Sequence, residues 1–219
     1  MGGNLSPGML LSAYRQGVFP WFSDSEPILW WCPDPRFVVP VDDVHLSRSM
    51  RRTLRRGTYR LSMDEDFAGV IHRCARTPRR GQHGTWITGE MEQAYVRLHE
   101  LGYAHSCEAW LGDRLVGGIY GVAVGRLFFG ESMFSHERDA SKGAFHALTT
   151  FLRLHSFRVM DSQVRTEHVA TLGGIDIDRD QFLSIVRRDT KLLPLFDWHR
   201  QFDEQSVVEA AVAHKLAQD

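Results

Sequence analysis

In the stretch VMDSQV, Val159 to Val164, a carboxylic acid and a carboxamide stand two residues apart in what reads as a short β-strand. That spacing puts Asp161 and Gln163 on one strand face, with Met160, Ser162 and Val164 on the other. A carboxylate can orient or deprotonate an amine. An amide can donate to a developing oxyanion or hold the carboxylate in place. The same two residues could equally be a polar pair that satisfies loop backbone. A third candidate is Glu131 in FFGESMFS, an acid among apolar neighbours near the end of another strand. Burying it alone is costly, so it needs either an arginine partner within the protein or a functional use.

A different chemistry is written in SRSMRRTLRRGTYR. Arg48, Arg51, Arg52 and Arg55 recur at the spacing of one helix face, Arg56 and Arg60 extend it, and Leu46, Met50 and Leu54 fall opposite. A solvated face is the plain reading of such a run. Six arginines with no acid between Ser47 and Arg60 favour an RNA or DNA phosphate backbone, because guanidinium groups bind phosphate bidentately. The aromatic residues Tyr14, Phe19, Trp21, Phe22, Trp30 and Trp31 read first as the core of a small subdomain, and an exposed member could stack on an unpaired base. The pairs His72/Cys74 and His105/Cys107 lack the CxxC spacing of metal sites, so no metal is expected. HExxH, Walker and GxSxG motifs do not occur.

The frame that must position these groups is an ordinary globular one. The chain has 219 residues, 43% hydrophobic and 24% charged, with a net charge of −1, so a nucleic-acid contact would have to be local. Three scattered cysteines make no disulfide framework, and a reducing cytoplasm is expected. The start MGGNLSPGML has no secretory pattern, and no apolar run approaches the roughly 20 residues that span a bilayer.

Ser6 and Pro7 open a helix through Tyr14 that Gly17 ends. The Pro- and Trp-rich stretch after it, PWFSDSEPILWWCPDPRF, is expected to hold no regular element, and residues 1–34 read as a small lid or subdomain ahead of a main domain over 35–219. The arginine helix, a strand through Tyr59 and Leu61, a helix over DEDFAGVIHRCAR, a loop TPRRGQHGTW and a helix with the apolar stripe Met91, Ala94, Tyr95 and Leu98 follow. AHSCEAWL, RLVGGIYGVAV and LFFGESMFS then read as an antiparallel meander. After it come a helix over ASKGAFHALTTFLRLHS, the strand FRVMDSQV, a loop with TLGG and a helix over RDQFLSIVRRD. From Leu192 the chain reads as partly helical. This is an α+β order, expected to give a mixed sheet flanked by helices, and it resembles the GNAT acyltransferase architecture.

Taken together, LSPGMLLSAYRQGVFPWFS, PILWWCPDPR, HLSRSMRR, GTWIT, AYVRLHELGYAHSCEAW, LVGGIYGV, FFGESMFS, ASKGAF and DSQV closely resemble the bacterial leucyl/phenylalanyl-tRNA–protein transferases, from about Gly2 to Gly174. The resemblance implies a small N-terminal domain on a GNAT-like domain. It implies transfer of Leu or Phe, and Met less well, from aminoacyl-tRNA to a protein N-terminus bearing Arg or Lys, with the product entering N-end rule degradation. It implies Asp161 and Gln163 as the catalytic pair and Glu131 as the acid near the acceptor. Tyr14, Trp21 and Trp86 match residues around the 3′ adenosine, and Ile119, Phe128, Leu148, Leu152 and Met160 match the pocket for the amino-acid side chain. Arg48, Arg51, Arg52, Arg55 and Arg56 match the basic patch for the tRNA stem. The chain departs from the family pattern at Thr171, where TLG replaces SLG, at Thr166 or a neighbour in place of an Asn, and at Leu148 and Leu152, where aromatics can stand. The family also has a further segment ahead of the motif with which this chain begins. No cofactor is expected, because the ester is already activated, and the protein is expected to be a cytoplasmic monomer that binds no membrane. Two other readings are an acetyl-CoA-type N-acyltransferase, although SHERDASKGAF lacks that use's glycine-rich pyrophosphate loop, and a non-catalytic RNA-binding module, which leaves the three polar residues unused.

Overall fold

The computed structural model describes residues 2–23, 26–78, 86–191 and 197–216. Pro7 sits in the first turn of α1 (Pro7–Tyr14). Gly17, at φ 76°, turns the chain so closely against the later helix α7 (Arg179–Asp189) that a Cβ there would lie 2.8 Å from Leu183 Cδ2. Where composition suggested no regular element, two short strands pair antiparallel, β1 (Phe19–Pro20) with β2 (Trp30–Trp31). Next comes a strand the sequence reading did not foresee, β3 (Arg36–Pro40). The arginine helix is α2 (Arg48–Arg55), capped by the Ser47 side chain accepting from Met50 N at 3.2 Å.

β4 (Arg60–Met63), α3 (Phe67–Arg76) and α4 (Gly89–Glu100) follow. Most of the expected TPRRGQHGTW loop, residues 79–85, lies outside the described residues. The meander is β5 (Ala104–Leu111), β6 (Arg114–Val124) and β7 (Leu127–Ser135), and α5 (Ala140–Leu154) leads to β8 (Val159–Asp161). The strand expected to run on to Val164 therefore stops at Asp161. A short helix α6 (Glu167–Ala170), a second unforeseen strand β9 (Ile175–Ile177), α7, α8 (Trp198–Gln201) and α9 (Glu204–Leu216) complete the order.

The strands form one mixed sheet in the order β4-β5-β6-β7-β8-β3-β9, in which β7 and β8 pair parallel and the other neighbours antiparallel. A parallel pair needs a long crossover, and α5 supplies it. One face of the sheet packs on α5, α2 and α9 through Met50, Leu54, Phe145, Leu148 and Phe151. The other packs on α1, α3, α4 and α7 through Leu10, Val70, Met91 and Phe182. Leu10, Tyr14, Phe19 and Phe22, from the first 34 residues, are buried in this second core. The free edge of β4 is covered from the chain's last helices: Glu204 accepts from Leu61 N at 2.7 Å and His199 Nδ1 lies 2.9 Å from Met63 O.

One irregularity in the sheet matters for the site. Tyr120 pairs with Ser132 and Gly121 with Gly130, so Glu131 is an extra residue on β7, a β-bulge. Its effect is visible in the burial: Phe128 and Phe134 are six positions apart, which in a regular strand means one face, yet they lie in opposite cores. Gly121 makes the bulge possible, since a Cβ there would sit 2.2 Å from Phe129 O and 2.5 Å from the Phe128 ring. Gly121→Ala is expected to cost about 1–3 kcal/mol in urea unfolding. Gly89→Ala, where a Cβ meets nothing within 4 Å, is the control and should be neutral or stabilising.

Candidate active site

β7 and β8 stay paired only through Phe129 and Asp161. Beyond that point they part, and a cavity of about 640 Å³ opens between Gly130–Met133 on one side and Ser162–Val164 on the other. Its apolar wall is Phe19, Trp21, Trp86, Ile119, Met133 and Met160; Glu131, Gln163, Arg165 and His168 supply polar groups. The volume is that of an ordinary small-molecule site.

The bulge turns Glu131 toward Tyr14 of α1 and Tyr95 of α4. Tyr14 Oη donates to Oε1 at 2.7 Å, Tyr95 Oη to Oε2 at 3.1 Å, and Gln163 Nε2 to Oε1 at 2.9 Å. Burial pushes the Glu131 carboxyl up to about 7 against the pull of these donors, and nearby Asp161 adds to the rise. The two tyrosine oxygens also lie 2.5 Å from each other. Burial, with Glu131 second, also holds both phenols well above their ordinary value, so neither gives up its proton first.

Asp161 and Gln163 do not share a strand face, as their spacing suggested. Asp161 is the last residue of β8, with no exposed surface. Arg36, at the start of β3, grips it with a fork, Nε to Oδ1 at 2.8 Å and Nη2 to Oδ2 at 2.6 Å. Burial opposes the Arg36 charge, and Asp161 outweighs it, keeping the guanidinium firmly protonated. Gln163 lies past the strand end in a left-handed turn, φ 59°. Its backbone N donates to Asp161 Oδ1 at 2.9 Å, while its side chain reaches Glu131 instead.

Of the other residues singled out by sequence, Ile119, Met160, Trp21 and Trp86 line the cavity. Phe128, Leu148 and Leu152 are buried in the core behind Ile119 and Met160 rather than on the lining, and Tyr14 lies beneath Glu131. On α2, Arg48, Arg52 and Arg55 are exposed, as is Arg56 just after it, and Arg51 is half-buried. Arg60 leaves the stripe: it forks onto Glu65 at 2.6 and 2.8 Å over the Trp110 ring. Arg36, Tyr95 and Met133 belong to the site and were not picked out by sequence. Their signals were an arginine inside the apolar run RFVVP, a phenol on the buried stripe of α4, and a bulge that alternation alone does not reveal.

Because the folded Glu131 carboxyl is raised above its unfolded value, its contribution to stability is full below about pH 4.5 and is lost as pH rises through about 7. His146, lowered to about 4 by burial, shifts stability the opposite way over part of that range. The comparison of wild type with Glu131→Gln cancels it. Unfolding free energies from urea titrations between pH 4.5 and 8 should fall more steeply for wild type than for E131Q, by on the order of 3 kcal/mol in total.

Residues 38–187 match the family described as leucyl/phenylalanyl-tRNA protein transferase, and residues 3–34 match that family's N-terminal domain. Named relatives are similar across most of their length. The leucyl/phenylalanyl-tRNA–protein transferase of Anaeromyxobacter sp. (strain K) is 56% identical over 86% of this chain and 81% of its own. That of Xylella fastidiosa (strain M12) is 55% identical over 86% and 77%, and that of Syntrophus aciditrophicus (strain SB) 52% over 87% and 80%. Among solved structures, L-PGS from Bacillus licheniformis is similar at a TM-score of 0.42 and 10% identity, covering 70% of this chain and 51% of that one. With 150 of its 219 residues matched by the core family description, from Val38 within β3 onward through Glu131 and Gln163, the chain belongs to the leucyl/phenylalanyl-tRNA protein transferase family.

Proposed function

We propose that this protein transfers Leu or Phe, and Met less well, from aminoacyl-tRNA to the N-terminal Arg or Lys of an acceptor protein, marking it for N-end rule degradation. Family membership supports the reaction. The observation that carries the site is the facing of an apolar wall, Ile119, Met133 and Met160, by the Glu131–Gln163 pair across one cavity. The wall suits an apolar aliphatic or aromatic aminoacyl side chain, and Glu131 suits a cationic acceptor, whose arrival would hold the carboxyl ionised despite its burial. Residues 1–34, which bring Phe19 and Trp21 to the rim, act as the small N-terminal unit on a catalytic unit over 35–219. The protein works as a cytoplasmic monomer. Among the described residues no helix is long and apolar enough to cross a membrane.

The chemistry is aminolysis of an ester. The neutral α-amine, with an ordinary pKa of about 7.7–8.0, attacks the ester carbonyl. A C–N bond forms, the bond from the acyl carbon to the ribose oxygen breaks, and the amine proton ends on that oxygen, so no further reactant is needed. Gln163 presents its carboxamide to the cavity; with Nε2 committed to Glu131, its oxygen is left to orient an amine N–H. Asp161 as proton acceptor would require opening its fork with Arg36, whereas relay through the terminal ribose 2′-hydroxyl leaves that fork intact. The exposed arginines of α2 hold the tRNA stem.

The acetyl-CoA reading is disfavoured at the start of α5. Ser141 N already donates to Ser135 Oγ at 3.1 Å and Gly143 N to Asp139 O at 2.9 Å, and a Cβ on Gly117 would stand 2.6 Å from Ala140 Cβ. The Ser141 N–H, a first-turn donor that a CoA pyrophosphate would use, is thus already engaged.

The deciding assay mixes the purified chain with labelled Leu-tRNA or Phe-tRNA and peptides beginning with Arg, Lys or Ala. Label on the Arg and Lys peptides alone is expected. No transfer, with tRNA still bound, would put the RNA-binding reading ahead. For the donor surface, the Arg52→Ala/Arg55→Ala variant should keep wild-type Tm, raise KM for aminoacyl-tRNA at least about tenfold, and reduce the salt slope of binding by about 2.

A further inference from the structure

Rigid geometry at Gln163 has an identifiable origin. Gln163 lies beyond the last paired residue of β8, in a backbone conformation uncommon for a residue with a side chain. Three contacts fix it there. Asp161 Oδ1 accepts from Gln163 N at 2.9 Å, Phe37 N donates to Gln163 O at 3.2 Å, and Ser162 N donates to Phe37 O at 2.9 Å. Two of these come from β3 backbone next to Arg36. The third is a carboxylate whose own orientation is set by the Arg36 fork.

Arg36 is itself immobilised. Its guanidinium carbon is 4.9 Å from the Phe19 ring centroid and 4.3 Å from that of Phe182, and its side chain has no exposed surface. Nη1 is buried without a hydrogen-bond partner among the described residues, so Asp161 is the guanidinium's whole hydrogen-bonding environment. Phe19 also lines the cavity. One side chain therefore ties the cavity wall, the end of β8 and the Gln163 turn together. A buried ion pair is a poor stabiliser compared with an apolar pair of similar volume, so stability alone does not account for it. Sealed beneath the cavity, the pair also offers substrate no surface.

Resting on the aminoacyl-transfer reading, we propose that Arg36 is a positioning residue: through Asp161 it holds Gln163 in its turn, so that the carboxamide meets both Glu131 and the attacking amine. Asp161 transmits geometry and takes no proton during turnover.

The test uses the full chain and the variants Arg36→Lys, Asp161→Asn and Arg36→Met/Asp161→Leu. Readouts are Tm, separate kcat and KM in the Leu-tRNA to Arg-peptide assay, the pH profile of kcat, and the Gln163 side-chain amide resonance. D161N keeps an oxygen for Gln163 N but loses one arm of the fork, so kcat should fall by no more than R36K's, about a hundredfold at most, with the pH profile unchanged. R36K keeps the charge and loses the fork. Its kcat should fall about a hundredfold with KM nearly constant, and the Gln163 resonance should shift or broaden. R36M/D161L, free of the buried charges, should fold with a Tm near wild type and show the same kcat defect. The proposal is overturned if D161N loses about a thousandfold or more in kcat together with the acid limb of its pH profile, at unchanged Tm. It is equally overturned if R36K or R36M/D161L folds and turns over at the wild-type rate. If wild type transfers nothing, the functional reading fails, and the Gln163 resonance in R36K still reports on positioning.

Discussion

A guanidinium and a carboxylate sealed together without exposed surface, Arg36 and Asp161, are the constraint around which this site is arranged. Taking each ion out of water costs several kcal/mol, recovered only when geometry and hydrogen bonding are good. Here both are supplied by position in the sheet. β3 lies between β8 and β9, which places Val38 opposite Asp161 and sets the arginine two residues before it. Rings above and below fill the space that water would need. Because the fork has two hydrogen bonds in one plane, it fixes direction as well as distance, and the carboxylate passes that direction on to the backbone of Gln163.

Glu131 presents the complementary case, a buried carboxyl that makes no ion pair among the described residues. Burial drives it toward neutrality, and three donors pull it back, leaving it near the pH at which an α-amine also changes charge. Its position depends on a defect in strand pairing. Without the bulge, Glu131 would take its turn in the alternation, and the tyrosines of α1 and α4 would face a different residue. The two acids thus divide the work by environment: one neutralised by a paired cation and kept out of the cavity, the other left unpaired at its floor.

Much of the fold was legible locally. The meander, α2 to α5 and α7 follow from alternation, apolar stripes and turn glycines, because those signals are short-range. What escaped was long-range or irregular. β3 and β9 are short, and they are strands only because each finds a partner far along the chain. Asp161 and Gln163 have the spacing of one strand face, but β8 ends between them, since β3 takes up the backbone groups of Phe37 for the turn. Arg36 carried a readable hint: an arginine in RFVVP must find an acid if the strand is buried. Which acid depends on the sheet order, and no local pattern gives that. Arg60 looks like part of the basic stripe because its partner Glu65 lies past the end of the arginine run.

The place of β3 in the sheet also imposes a timetable. Arg36 leaves the ribosome 125 residues before the acid that neutralises it. At about 5–20 residues per second this is a wait of roughly 6–25 s. Throughout that interval Phe37, Val38 and Val39 have neither of their neighbouring strands. The meander can form meanwhile from contacts close in sequence, but the turn that holds Gln163 cannot exist until the strand before it has been made and has docked. A growing chain surrounded by charged tRNAs therefore has no assembled centre with which to act on them. That centre closes only when the first part of the chain and its final third come together.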